Sequence, residues 1–329
     1  MALLTFIIRR LIYAVIVLLA VSIMSFIVIQ LPPGDFLQTY IQNIEATGGK
    51  MDQATVDALR ASWGLNQPVY VQYWAWFTKL LHGDFGFSFL YQKPVGGLIM
   101  ERLPLTLLIT LFGIAMVYAI AIPLGILAAT RQNSVWDYGA SLMAFIGTAV
   151  PEFLLALVLM WLLYKGFDLS IGGLFSPDYR DAPWSMARLL DGIAHLFVPV
   201  LILAITGSAG LVRTMRAGLL DEIRKQYVVT ARAKGLPERT VIYRYAVRSA
   251  INPIISAAAW ILPEAVSGGV ILSIVLGLPT VGPMLLQSLQ AQDMFLAAGI
   301  VMIISALTII GIILSDIVLA LVDPRIRYS

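Results

Sequence analysis

Apolar runs of membrane length alternate along this chain with polar connections, and one connection is far more polar than the rest. The first run, Leu11–Leu31, carries no charge. At 1.5 Å per residue, about 20 residues cover the roughly 30 Å hydrocarbon core of a bilayer. Arg9 and Arg10 precede this run, as in a signal peptide. It exceeds the roughly 7–15 residues of a signal-peptide core, however, and shows no convincing small-residue cleavage site. It is predicted to be the first membrane helix. Leu31-Pro32-Pro33-Gly34-Asp35 stops it.

From Phe36 to Arg102 the pattern is mixed, with amphipathic helices predicted near Asp52–Trp63 and Val69–Leu81. The second carries Tyr70, Tyr73, Trp74, Trp76 and Phe77. Such rings suit a lipid–water boundary, and they equally suit the core of a small extramembrane subdomain. Leu103–Thr130 is the second predicted span and Arg131–Asp137 a short polar connection. Gly139–Tyr164 is the third span, interrupted by Pro151-Glu152, and Lys165–Ala194 returns to loop composition. Leu196–Val212 is a fourth span, barely long enough and holding Pro199, Gly207 and Gly210. Ser249–Val275 and Met294–Val322 are the fifth and sixth. A turn-rich stretch, Gly277–Pro283, follows the fifth, and Asp323–Ser329 forms a tail.

The polar connection is Leu219–Pro253. It reads as two short helices broken at Gly235-Leu236-Pro237. Glycine can take the left-handed conformation that ends a helix, and proline, lacking an N–H, is at home where the next one starts.

Composition agrees with a polytopic membrane protein. Of 329 residues, 59% are hydrophobic and only 12% charged, with mean hydropathy +0.86; soluble domains carry about 25% charged residues. A net charge of +3 is too small to argue for nucleic acid as a partner. Cys is absent, which removes disulfides and thiolate chemistry, and His82 and His195 alone make no His-rich metal site. Charge distribution says more. With the N-terminus inside, the inner segments hold Arg9, Arg10, Arg131, nine bases from Arg213 to Arg248, Arg325 and Arg327, which is 14 of the 22 Lys and Arg. The positive-inside rule then puts both termini and the polar helix pair in the cytoplasm. Residues 1–31 form the N-terminus and first helix, 32–102 an extracytoplasmic segment, and 103–329 the rest of the membrane domain. Within the last, 213–250 is a cytoplasmic loop.

At Tyr227-Val-Val-Thr-Ala-Arg-Ala-Lys-Gly-Leu-Pro-Glu-Arg239 and Asn252-Pro253 the chain resembles permease subunits of ABC importers. It is most similar to the first permease of the dipeptide/oligopeptide/nickel family. Further matches are Pro33-Gly34-Asp35, Gly64–Pro68, Val71–Tyr73, Gly83–Ser88, Glu101–Pro104, Pro123–Gly125 and Asp323–Tyr328. The resemblance implies an all-α, six-helix membrane protein with the type I ABC importer fold, in a bacterial inner membrane. It implies four kinds of partner: a second homologous permease, one or two cytoplasmic ABC ATPases, an extracytoplasmic substrate-binding protein, and membrane lipid. It further implies that the polar loop is the so-called EAA coupling element, docked in a groove of the ATPase. By position Thr230, Ala231 and Arg232 take the Glu-Ala-Ala place and Gly235 is the motif glycine, followed by Leu236 and Pro237.

The residues agree with that role. Ala231 and Gly235 are small and four apart, on one helical face, which permits close approach to a partner. Arg224, Lys225, Arg232, Lys234 and Arg239 could complement an acidic rim. The bland alternative is that these bases hold anionic lipid headgroups.

Glu152, Glu264 and Asp316 fall within predicted spans. A charge at mid-membrane costs about 2.5–3.5 kcal/mol on insertion scales, so it faces a bundle interior or an aqueous cavity. Glu264, after Pro263 and downstream of Asn252 on the fifth span, is the candidate for lining a translocation path; a helix-packing hydrogen bond is the rival reading. Glu152 and Asp316 read as structural. No G-x-x-x-x-G-K-[ST] run, nucleophile elbow or metal-ligand cluster occurs. The chain is therefore expected to be no enzyme and to hold no cofactor, ATP and Mg being bound by the partner ATPase. The function expected is that of a passive translocation subunit for short peptides or oligosaccharides. An ion-gradient-driven secondary transporter using Glu264 or Asp316 is the alternative from another class, and six spans without an evident internal repeat speak against it.

Overall fold

A computed structural model describes residues 2–30, 41, 52–62, 66–167 and 172–322. The stop at Leu31–Asp35 and the tail Asp323–Ser329 lie outside the described residues, as do the side chains of residues 258–268. Nearly everything described is helical, as expected. The helices are α1 (Ala2–Gln30), α2 (Gln53–Ser62), α3 (Val69–Leu81), α4 (Val95–Thr130), α5 (Val135–Ala149), α6 (Glu152–Phe167) and α7 (Met186–Ile223). After them come α8 (Gln226–Ala233), α9 (Glu238–Thr240), a π-helical stretch (Val241–Ala246), α10 (Val247–Ala250), α11 (Asn252–Val275), α12 (Val281–Gln290) and α13 (Met294–Val322). One hairpin, β1 (Phe87–Ser88) with β2 (Lys93–Pro94), is antiparallel, Phe87 opposite Pro94.

Four described helices, α1, α4, α7 and α13, are long and apolar enough to cross a membrane, and α5 with α6 makes a fifth if counted as one broken span. Helix α11, 24 residues long, occupies the place of the fifth expected span. The third span breaks at Pro151-Glu152 as expected, α5 and α6 meeting at 108°. Val150 is extended (ψ 121°), as a residue before proline is driven to be, and α6 restarts with the N–H groups of Leu154 and Leu155 donating to the Pro151 carbonyl. The fourth is not marginal. Helix α7 runs unbroken for 38 residues through Pro199, Gly207 and Gly210. It starts ten residues before Leu196, where the Ser185 hydroxyl caps it by accepting from the Arg188 N–H at 3.2 Å.

The chain forms two compact units. In the larger, Leu105–Pro283 with the end of α13, helix α7 passes through both apolar clusters. One gathers Ile109, Ala156, Ile202, Leu203, Leu272 and Leu276. The other gathers Val117, Ala121, Met215, Leu219, Val241 and Ile254. Glycines bring the backbones together: a Cβ on Gly125 of α4 would lie 2.5 Å from Met215 Cβ and 3.1 Å from the Val212 carbonyl.

The smaller unit is Ile8–Pro104 with Met284–Ile309. The rings of the aromatic helix divide between a packed and an exposed set. Tyr73, Trp76 and Phe77 pack with Phe26 of α1, the Phe26 ring lying edge-on to Tyr73 at 5.4 Å, and the Ser22 and Tyr73 hydroxyls are 2.9 Å apart. Tyr70 and Trp74 point away and are exposed. The hairpin is held by Asp293, at 3% exposure. Its carboxylate accepts from the Ser88 hydroxyl at 2.5 Å and the Leu90 N–H at 3.0 Å, and caps α13 by accepting from the Leu296 N–H at 3.3 Å.

Gly125→Ala should destabilise by about 1–3 kcal/mol, because the new methyl meets backbone-proximal atoms that cannot swing aside. Gly210→Ala, on the same bundle with nothing within 4 Å of its Cβ position, should gain about 0.5–1 kcal/mol of helix propensity. Thermal unfolding midpoints of the detergent-solubilised protein, moving in opposite directions, check the pair.

Candidate functional site

The polar loop folds as a second layer against the end of α7. Arg224 keeps helical geometry and Lys225 turns extended (φ −73°, ψ 150°), so α8 leaves at a corner. Glu222 pins that corner: one carboxylate oxygen accepts from Lys225 Nζ at 2.6 Å, the other from the Tyr227 hydroxyl at 2.5 Å. The bond to Glu222 holds the Lys225 ammonium above its ordinary pKa, while burial, and then Glu222, push the Tyr227 phenol up. Helix α8 turns Val228 and Ala231, three apart on one face, into the cluster of Met215, Leu219, Val241 and Ala246.

Gly235 ends α8 in the left-handed region, φ +74°. Its N–H donates to the Arg232 carbonyl at 2.9 Å, and the Leu236 N–H reaches back to the Ala231 carbonyl at 3.4 Å, which satisfies carbonyls a helix end leaves over. Leu236 packs half-buried on the same cluster. Pro237 (φ −56°, ψ 138°) precedes α9, and its carbonyl accepts from the Val241 N–H at 3.1 Å. An ion pair bridges the break. Arg232 presents its fork to Glu238, with Nε donating at 3.1 Å and the terminal nitrogen at 2.7 Å. Arg232 holds the Glu238 carboxyl below the usual carboxylate range. The sequence reading of a helix pair with a Gly-Leu-Pro break is thus how the chain folds.

Of the two small residues expected to face a partner, Gly235 is exposed and Ala231 is turned inward. Ala231 is 4% exposed and belongs to this chain's own core, where it packs with Val228 in the cluster of Met215 and Leu219. The exposed face of the loop is instead Gln226, Val229, Thr230, Ala233, Lys234, Gly235 and Pro237. A Cβ on Gly235 would meet nothing within 4 Å, so this chain requires glycine there for its φ alone. The expected basic set also divides. Lys225 and Arg232 are paired with Glu222 and Glu238. Arg224, Lys234 and Arg239 stand exposed beside Arg244 and Arg248, with no ion pair among the described residues.

A residue missed from sequence lies next to this site. Asp137, at the start of α5, takes Arg216 of α7 in a two-point ion pair, 2.6 and 2.8 Å. The pattern Ser134-x-x-Asp137 could have flagged it as a helix start, and the Ser134 hydroxyl does accept from the Asp137 N–H at 3.4 Å. Among the intramembrane acids, Glu152 accepts from the Thr206 hydroxyl at 3.0 Å. Asn252 is the first residue of α11 and its carbonyl accepts from the Ser256 hydroxyl at 3.1 Å. The side chains of Pro263 and Glu264 lie outside the described residues.

Two family descriptions match this chain. "Binding-protein-dependent transport system inner membrane component" covers residues 121–328, the polar loop included, and "Binding-prot-dependent transport system membrane comp, N-term" covers residues 3–110. The chain belongs to this transport family. It is similar over nearly its whole length to the oligopeptide transport system permease protein AppB of Bacillus subtilis, at 34% identity over 98% of this chain and 99% of that protein. A putative peptide permease protein of Brucella suis is 35% identical over 98% of each chain. The probable D,D-dipeptide transport system permease protein DdpB of Escherichia coli is 30% identical over 95% of this chain and 94% of its own length. The protein is thus a multi-pass inner-membrane permease with the type I importer fold, the non-catalytic transport subunit of a system that includes an ATPase and a substrate-binding protein.

Two outcomes follow for the loop. Gly235→Ala should cost about 1–2 kcal/mol of local stability for forcing an L side chain into the left-handed region, while Gly235→Asn should cost clearly less; limited proteolysis at the loop ranks the three. Glu238 has a lowered pKa in the folded loop, so its contribution is present above the ordinary carboxylate value of about 4.3 and is lost as pH falls through the folded value. Hydrogen exchange of residues 232–238, corrected for intrinsic rate, should therefore lose protection on acidification in the wild type and show no such step in Glu238→Gln.

Proposed function

We propose that this chain is one of two homologous permeases of an ATP-driven importer of short peptides, and that its helix pair 226–250 is where a cytoplasmic ABC ATPase docks. The observation that carries this is the build of the loop. Its apolar face is used internally, its break is braced by Arg232 and Glu238, and what it presents outward is a base-rich surface on the end of the longest described helix. A rigid element at that position transmits displacement, whereas a loop that only gathered lipid headgroups would need no brace across its break. Thr230, Lys234, Gly235 and Pro237 form the contact face. Ala231, Arg232 and Leu236 hold it in shape. The Lys and Arg bias puts this face and both termini in the cytoplasm, one or two ATPases binding ATP and Mg below it. Segments 52–102 and 172–185 then face the substrate-binding protein.

Peptide cargo rests on the names of the relatives, which are permeases for oligopeptides, peptides and D,D-dipeptides. Asn252, Pro263 and Glu264 on α11 are assigned to the translocation path.

In reconstituted importer, Lys234→Glu with Arg239→Glu should abolish the stimulation of ATP hydrolysis by loaded binding protein while membrane insertion stays normal. Full transport by this chain alone in ATP-free liposomes under an ion gradient would overturn the assignment.

A further inference from the structure

Helices α5 and α7 make the most extensive helix contact among the described residues; α7 is tied to α5 at two places and to the first residue of α6 at a third. At one end Asp137, 3% exposed, receives both arms of the Arg216 guanidinium, and its second oxygen also accepts the Asn133 N–H at 3.0 Å. In the middle, a Cβ on Gly147 would lie 2.8 Å from the Ile205 carbonyl and 3.0 Å from Ala209 Cβ, so the backbones touch. Past the Pro151 corner, the Thr206 hydroxyl donates to Glu152 at 3.0 Å. The two helices run antiparallel along these ties. A planar fork on a carboxylate fixes rotation as well as distance. From Val200 to Ile223, α7 contains no proline and leads directly into the corner pinned by Glu222.

We propose that Asp137 and Arg216 are positioning residues for energy coupling. They bind α5 to α7 so that displacement of α8 by the ATPase carries α7, α5 and the first turn of α6 as one body. The step rests on the reading of α8 as the docking element. Without the pair, the glycine contact still packs the helices but allows them to slide and rotate, and motion at α8 is dissipated before it reaches the Pro151 corner. A role in stability alone would make the pair replaceable by any neutral, well-packed couple, since removing both charges leaves no unpaired ion buried.

That difference sets the experiment. The double variant Asp137→Asn/Arg216→Gln is assembled into the full importer and reconstituted with peptide-loaded binding protein. ATP hydrolysis and peptide uptake are measured together. The complex should assemble and hydrolyse ATP near the wild-type basal rate, while peptide moved per ATP falls about tenfold. A wild-type ratio in that variant overturns the proposal. Should it not assemble, Asp137→Glu/Arg216→Lys keeps both charges and breaks the two-point fit; a lowered ratio supports the proposal and an unchanged one overturns it. If Lys234→Glu/Arg239→Glu leaves coupling intact, the docking reading fails, whatever the ion pair does.

Discussion

A bilayer interior offers no water to an unsatisfied backbone group, and that constraint bears on any break inside a membrane span. The Pro151 corner is the plainest case. A chain that turns by 108° between α5 and α6 leaves peptide groups without a helical partner. They are met on the spot by the Ile146 carbonyl, which receives the Val150 N–H, and by the Pro151 carbonyl, which starts α6. Glu152 beside the corner is met by Thr206 of α7. Where the chain instead breaks at Gly235, the loop is exposed and polar side chains share the task with solvent.

Helix α7 answers a second constraint. With lipid on one side and apolar side chains on the other, burial alone selects no particular neighbour for a membrane helix; close approach does. Gly125 and Gly147 bring α4 and α5 against the backbone of α7, while Gly113 and Gly207 admit side chains of the facing helix, and the ion pair between Asp137 and Arg216 adds direction to that contact. The same helix then extends beyond the apolar zone and becomes the support on which α8 rests. One element thus serves the apolar core and the exposed basic loop.

The fold class, the ends of α3 and α13 and the Gly-Leu-Pro break were legible in the sequence because each has a local cause: a run of apolar residues, or a residue that permits one backbone conformation. The length of α7 was not. Pro199, Gly207 and Gly210 are helix breakers by local rule, and only the neighbouring helices make them harmless. The orientation of Ala231 was misread for a related reason. A small residue is compatible with both an inner and an outer face, and the choice is made by Met215 and Leu219, which lie more than ten residues away in sequence. Asp137 escaped because a lone acid in a polar connection carries no mark of the arginine it will meet 79 positions later.

The acid that holds the hairpin sets the order in which this protein can be finished. Ser88 and the Leu90 N–H emerge from the ribosome early, yet their acceptor, Asp293, is 205 residues from Ser88 along the chain. Until the last membrane helix arrives, the hairpin has no partner for these groups and α13 has no cap. Closure of the smaller unit therefore waits for synthesis of Asp293, and a chain truncated before it lacks the acceptor for Ser88 and Leu90.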